Sequence, residues 1–421
     1  MRPWLVLVVG AVVAVLALAL RDGGGSHEVS AGVERPILAL TRDEWLVRLD
    51  PRSLRPLRGD RVRLREPIDG WARSPDGAGL VIATERASRL RFFDVARMGA
   101  LGGVRSQARG LVAAIAWPRK DRLWLVVATP GCCATGTTTV VVVDPVRRRV
   151  VATRRLDGGL TRVAATPHEA VLLLAPRSTI GAATLATVDD AGGVATLPLD
   201  VSAGLLPTEG VPFILRAREP GLAVDARRRR AYVLPGRPEV LEVDLRARRA
   251  QYHRVTAATS LLDRLHDVLE PRAEAQQAVG PIRSATWMPP DRIALSGRDS
   301  HVSWQPDGAV RHVARPAGLQ VIDTGDWRVR TLDRRAAGFR AAHGLLLTDG
   351  EGLTAYDRDG HEAFHVLEGR RVELVATAGS LAYVREGGVH HVVDLAAGRV
   401  ESTSRRQWPR LLLDPAPGPW G

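Results

Sequence analysis

One phrase recurs eight times along the 421 residues: an apolar, often β-branched run that ends in Asp, then a basic or glycine-bearing turn, then another apolar run. The copies are Leu49-Asp50, Phe93-Asp94, Val143-Asp144, Val188-Asp189, Val243-Asp244, Ile322-Asp323, Tyr356-Asp357 and Val393-Asp394. They stand 34 to 79 residues apart, mostly 37 to 55, which is the period of a four-stranded blade. Gly (41) and Pro (27) together make about one residue in six, high for a helical chain and ordinary for short strands joined by tight turns. The sequence therefore predicts an all-β protein, a β-propeller of seven to eight four-stranded blades with eight favoured, carrying one helical insertion and an N-terminal apolar helix.

The N-terminal helix rests on Trp4 to Leu20, seventeen uncharged and almost wholly apolar residues behind Met1-Arg2 and ahead of Arg21-Asp22. Such a run is either a short membrane anchor or the h-region of a signal peptide, cleavable near Ala17-Leu18-Ala19, so residues 1–20 are expected to direct export. Positive charge before the run and none in net after it leaves the N-terminus inside and the body outside. The expected location is a single-pass membrane protein with an extracytoplasmic body, secreted if the segment is cleaved. Gly23 to Ser26 begins a small and polar stretch, and residues 21–36 read as a tether. The propeller is expected over 37–414, with 415–421 as a tail.

The third unit shows the expected blade plan best, with four strand-length runs at Leu111 to Trp117, Leu123 to Ala128, Thr138 to Val143 and Val150 to Arg155. The first unit supplies three runs, Ile37 to Leu40, Leu46 to Leu49 and Leu54 to Leu57, while Leu411 to Asp414 is left over at the other end. Pairing the two ends in one composite blade closes the ring and hides both sheet edges. Seven blades result instead if the short units around Asp357 and Asp394 share strands. Turns of Pro and Asp type precede several second strands: Ser74-Pro75-Asp76-Gly77, Trp117-Pro118-Arg119-Lys120-Asp121, Thr166-Pro167-His168-Glu169 and Trp287-Met288-Pro289-Pro290-Asp291. In these turns the chain resembles bacterial exported propellers of the TolB-like, YVTN and WD-repeat kind, whose blades carry similar SPDG turns. That resemblance implies the fold.

Antiparallel connectivity divides the loops of a propeller between two rims. Arg147-Arg148-Arg149, Arg227 to Arg230 (Arg227, Arg228, Arg229, Arg230), Arg246 and Arg248-Arg249 all fall on the rim of the first-to-second and third-to-fourth turns. The tether enters the composite blade from that same rim, so these arginines are expected to face the membrane and its anionic headgroups, or else to serve as soluble hairpin tips. The opposite rim receives Pro130 to Gly136, Arg177 to Ala183, the insertion His253 to Pro281 and the loop Arg298 to Gly318. Within the insertion, Thr259 or Ser260 caps a helix that places Leu261, Leu262, Leu265, Val268 and Leu269 on one face, and a second helical stretch is expected from Arg272 to Val279. Cys132, Cys133, Leu261, Leu265, Arg298, His301 and Trp304 are the expected binding residues of this rim.

Composition narrows the partners. There are 59 Lys+Arg against 46 Asp+Glu, a formal charge of +13, and only Lys120 is lysine. A GC-rich genome explains arginine in place of lysine, but not the surplus of cations, which favours anionic surfaces or ligands. Export argues against nucleic acid. His361-Glu362-Ala363-Phe364-His365 matches the H-E-x-x-H zinc pattern, which needs a helix; it falls instead where every other unit has its fourth strand, leaving the two imidazoles roughly 13 Å apart. No metal or other cofactor is expected. Adjacent Cys132-Cys133 would form a vicinal disulfide or stay free in an oxidising compartment. The ring resembles that of quinoprotein alcohol dehydrogenases, whose Trp-docking pattern is not evident here. His390-His391 alternate across a strand, and no G-x-S-x-G elbow or phosphate loop is present. The expected role is a monomeric, membrane-tethered scaffold that binds an envelope protein or anionic ligand. The alternative is a propeller enzyme, acting on envelope glycans or as a cofactor-dependent oxidoreductase.

Overall fold

The computed structural model describes residues 36–59, 61–129, 136–177, 179–207, 215–236, 238–257, 277–304, 310–405 and 411–413. They form eight antiparallel sheets, the blades of a propeller, with no helix among them. None of the described residues forms a helix long and apolar enough to cross a membrane. The apolar segment Trp4 to Leu20, the tether, both cysteines, the helix expected from residue 259 and the 415–421 tail lie outside the described residues.

Blade 1 is composite: Leu411–Leu413 pairs with Ile37–Leu40, in the register Leu38↔Leu413 and Leu40↔Leu411, and Trp45–Leu49 and Val62–Arg63 follow outward. Blades 2 to 8 occupy 70–105, 111–157, 159–207, 221–254, 277–333, 340–371 and 373–404. The short units around Asp357 and Asp394 each build a complete sheet, so the count is eight. Below, A to D denote the four blade strands from the channel outward.

The core is eight separate apolar clusters, one in each seam between neighbouring blades. Val81 and Phe92 of blade 2 meet Leu123 and Val141 of blade 3, and Trp124 and Val140 of blade 3 meet Leu172 and Val188 of blade 4. The remaining seams repeat the scheme around the ring. A middle strand thus contacts a neighbour on both faces, which is why Leu123 to Val127 and Val140 to Val143 are apolar without alternation and fully buried.

The recurring aspartates are the C-to-D turns. The carboxylate of each accepts backbone N–H groups of the turn that follows: Ser53 for Asp50, Arg97 for Asp94, Arg147 for Asp144, Ala191 for Asp189, Ala247 for Asp244, Gly325 for Asp323, His361 for Asp357 and Ala397 for Asp394, at 2.7–3.0 Å. Three or four residues after the Asp the chain turns left-handed, at Leu54, Met98, Arg148, Gly192, Arg248, Trp327, Gly360 and Gly398. The A-to-B turn of blade 5 repeats the device with Asp225 and Arg229.

Three expectations are corrected. Leu54 to Leu57 is not a strand: Leu54 has φ 55° and Pro56 has no N–H to give, so the chain goes on to Val62–Arg63. The second helical stretch fails at its end, because Gln277–Met288 is one strand that runs through Gly280 and Pro281. A bulge beside Gly280, at φ 116°, admits a proline to the ladder. Most of the supposed loop from Arg298 to Gly318 is likewise strand, Arg292–Trp304 and Val310–Pro316.

The turns carry two predictions. Asp144→Ala is expected to cost about 1 kcal/mol, because it removes the carboxylate that closes the turn, whereas Arg248→Gly, relieving a left-handed non-glycine, gains about 0.5 kcal/mol; denaturant midpoints measure both. For pH, hydrogen bonds from the Ser53 backbone and side chain hold Asp50 below the usual carboxylate range, and the Ala247 N–H does the same for Asp244. Their stabilisation is present above the unfolded-state value and disappears as pH falls through the lowered one. His390 is pushed down to about 4, first by burial and then by the charges of Arg385 and His391. Its contribution is complete above its unfolded value of about 6.5 and is lost as pH falls toward 4. Unfolding midpoints are therefore expected to drop in two stages on acidification, and His390→Gln removes the upper one.

Candidate binding rim

Strand order sends the B-to-C and D-to-A connections to one rim, and the most elaborate backbone of the molecule stands there. In blade 6, strand Arg292–Trp304 follows Leu319–Asp323 only along 292–295; its far half, 298–304, pairs with Val310–Pro316 instead. Gln277–Met288 keeps pace on the other side, from Met288↔Arg292 to Gln277↔Val302. A three-stranded sheet therefore projects beyond the blade.

The projection is anchored to blade 4. The outer strand of that blade, Val194–Pro207, overshoots its own sheet and pairs with Leu215–Arg218, Gly204↔Arg218 to Pro207↔Leu215. Glu219 then pairs in parallel with Ile282, its N–H donating to Pro281 O at 3.0 Å and its carbonyl accepting from Arg283 at 2.8 Å. A layer of strands thus runs from blade 4 past blade 5 to blade 6. Backbones meet closely in it: a Cβ at Gly280 would lie 1.8 Å from the Ala217 carbonyl oxygen.

A buried arginine relay locks the layer. Arg162, on the innermost strand Gly159–Ala165 of blade 4, is 3% exposed. Its Nη1 donates to Glu219 Oε2 at 2.8 Å, while Nε and Nη2 donate to the Arg283 carbonyl at 2.9 and 2.7 Å. Arg283 in turn donates from Nη1 to the Arg298 carbonyl at 3.0 Å and from Nη2 to Asp299 Oδ1 at 2.7 Å. Two cations are matched by two carboxylates, so the relay is neutral, and the buried Arg162, Glu219 and Arg283 find partners that burial would otherwise deny them, with Asp299 at the exposed end.

Of the residues expected at this rim, Arg298 stands at the root of the projection, opposite Ile282 and Pro316, and its carbonyl takes part in the relay. His301 and Trp304 lie farther along the same strand, His301 opposite Ala278 and Val313 and Trp304 opposite Val310. The structure thus brings these three together on one element. Cys132, Cys133, Leu261 and Leu265 are outside the described residues. Arg162, Glu219 and Arg283 escaped sequence reasoning, although a cation inside the apolar run Leu160 to Ala165 marks an innermost strand with something to bind.

The opposite rim carries the arginine runs where connectivity put them, but several of these side chains are engaged. Arg229 forks onto Glu169 of blade 4 with both bonds at 3.2 Å, Arg228 donates to the Pro290 carbonyl of blade 6 at 2.8 Å, and Arg230 pairs with Glu242. Arg147 reaches Asp144 at 3.3 Å. Arg228 and Arg229 thus tie blade 5 to blades 6 and 4, whereas Arg230 closes on a strand of its own blade. Arg148, Arg149 and Arg227 have no side-chain partner among the described residues.

His361 to His365 runs into strand Glu362–Arg371, the D strand of blade 7, as its phase required. His361 turns to Asp357 at 3.4 Å and His365 to the Glu351 carbonyl at 3.3 Å. Among the described residues no group of three or more His, Cys, Asp and Glu side chains is arranged to hold a metal ion. His391 is wedged between Glu386 and Thr403, both at 3.1 Å.

No family model matches the chain, and no curated protein is similar to it. Solved structures are. The dihydro-heme d1 dehydrogenase NirN in complex with DHE superposes with a TM-score of 0.53 at 13% identity, over 94% of this chain and 81% of that one. Apo AztD from Citrobacter koseri superposes at 0.50 with 11% identity, over 90% and 98%. At these identities the likeness is one of fold, and this chain is an eight-bladed β-propeller.

Breaking the relay on one side leaves a buried charge unmatched, so Arg162→Met and Glu219→Gln are each expected to destabilise by about 3 kcal/mol or more. Gly280→Ala is expected to displace the 215–219 segment. Hydrogen exchange of 215–219 and 298–304, faster in all three variants while blades 7 and 8 stay protected, is the check.

Proposed function

We propose that this protein is a membrane-tethered, extracytoplasmic scaffold of the cell envelope that binds a protein or anionic ligand through the loop-rich rim, with no chemistry of its own. The observation that carries the reading is the projecting sheet of blade 6. A strand-built platform that rises from the rim and is fastened to blade 4 by a buried relay presents backbone already paired before any partner arrives, and preorganisation of that kind reduces the entropic cost of association. Arg298, His301 and Trp304 lie on the platform, and Cys132, Cys133, Leu261 and Leu265 belong to connections that open on the same rim. Tryptophan and arginine are the residue types that dominate interface energetics. The tether and the exported location rest on Trp4 to Leu20 and the charges that flank it.

Site-specific photo-crosslinkers in the full chain, expressed in an export-competent bacterium, test the reading. A crosslinker at Arg298 is expected to give a discrete adduct, and one at Tyr252, exposed on the outer strand of blade 5, none. Trp304→Ala should weaken the Arg298 adduct about tenfold. Equal labelling from both positions, or none from either, defeats it.

A further inference from the structure

Six large apolar side chains are exposed among the described residues, and four of them gather at one corner of the ring: Leu101 (48%), Val146 (59%), Val151 (38%) and Val194 (42%). Val146 sits in the C-to-D turn of blade 3, and the other three lie at the turn ends of the outer strands of blades 2, 3 and 4. Contacts between neighbouring turns join the three blades here. Arg148, in the blade 3 turn, lies over Gly102, next to Leu101, and Gly192, in the blade 4 turn, lies against Ala152, next to Val151. Between the apolar side chains stand Arg97, Arg148 and Arg149, which have no side-chain partner among the described residues. Of the aspartates nearby, Asp144 is buried and takes Arg147 at 3.3 Å, while Asp94 and Asp189 accept backbone N–H groups at the turn surface, which leaves the three guanidinium groups in excess there.

Isolated exposed apolar residues mean nothing, but four of them on the adjoining turns of three successive blades, interleaved with free guanidinium groups, have the composition of a surface that sits at the headgroup level of a bilayer. Its position agrees. The first strand of the body, Ile37–Leu40, is a B strand and so starts from this same rim, one blade away, and the chain before it leads back to Trp4 to Leu20. We propose that this corner of blades 2 to 4 is an interfacial docking surface for a bilayer rich in anionic lipid. Phosphate groups would meet Arg97, Arg148 and Arg149, and Leu101, Val146, Val151 and Val194 would enter the headgroup region. The proposal deepens the membrane-tether reading by giving the body a fixed face and tilt toward the membrane.

The full chain is reconstituted into nanodiscs of phosphatidylcholine alone or with about one-third phosphatidylglycerol, and hydrogen exchange is followed in the turns 94–99, 144–149 and 189–194. Exchange is expected to slow about fivefold or more in the anionic discs, and not at 348–351 on the opposite rim. Val146→Ser with Arg148→Gly and Arg149→Gln should abolish the slowing; the glycine relieves a φ of 53°, which keeps the variant folded. Arg335→Glu on the opposite rim should leave it intact. Equal exchange in both kinds of disc, slowing spread over both rims, or the same protection from free inorganic phosphate would overturn the proposal. Resistance to alkaline carbonate, scored on natural membranes, reports the tether separately. A chain washed off by carbonate yet protected by anionic discs keeps the docking surface and loses the tether, and the reverse pattern does the opposite.

Discussion

The aspartate-closed turn is the constraint on which the ring depends. Each blade must reverse its chain at the C-to-D corner within four residues and still deliver an outer strand to the seam with its neighbour. The carboxylate supplies acceptors for N–H groups that the tight turn cannot pair within the backbone, and a left-handed residue three or four positions on completes the reversal. Because the left-handed residue is arginine, leucine, methionine or tryptophan in five of the eight copies, the conformation is imposed by the turn and the strands around it rather than by glycine's freedom.

With the blades so shaped, the seams are what remains to be held, and arginine holds most of them. Arg48 reaches from blade 1 to the Ala96 carbonyl, Arg154 from blade 3 to Gly192, Arg330 from blade 6 to Asp359, and Arg370 from blade 7 to Glu386; Arg52 pairs with Glu401 where blade 8 meets blade 1. Each bond is half-exposed and individually weak. A planar, five-donor head on a long stem nevertheless suits the task, since it spans the gap and meets a turn carbonyl from more than one angle. Part of the chain's basic character is therefore structural, its guanidinium groups engaged by backbone oxygens as well as by carboxylates of the next blade.

The fold was legible because its signals were local and repeated. The eight Asp copies fell one to a blade, the two chain ends met in one sheet, and the phase of each unit placed His361 to His365 on a strand against the pull of its zinc-like spacing. Reading failed where one residue's role depends on a distant partner. Leu54 to Leu57 looked like a strand because composition does not display a φ of 55°. Gly280-Pro281 looked like a stop, since nothing local says that a bulge would carry a strand through it. The relay of Arg162, Glu219 and Arg283 joins positions up to 121 residues apart, and only the ring brings them together. The arginine runs were located correctly by connectivity, but which guanidinium groups are free was decided by the neighbouring blades.

The pairing of Leu38 with Leu413 has a consequence for the order of events. The seams between blades 1 to 8 in order join segments made close together in time, whereas this pairing, and the seam of blade 8 with blade 1 beside it, wait for nearly the whole chain, with a correspondingly large loop to close. Until it forms, Ile37–Leu40 presents an unpaired strand edge of four buried residues, ILAL, to whatever is nearby. A chain that emerges N-terminus first would carry that sticky edge through its synthesis, and Leu411–Leu413 would act as the latch that ends the exposure.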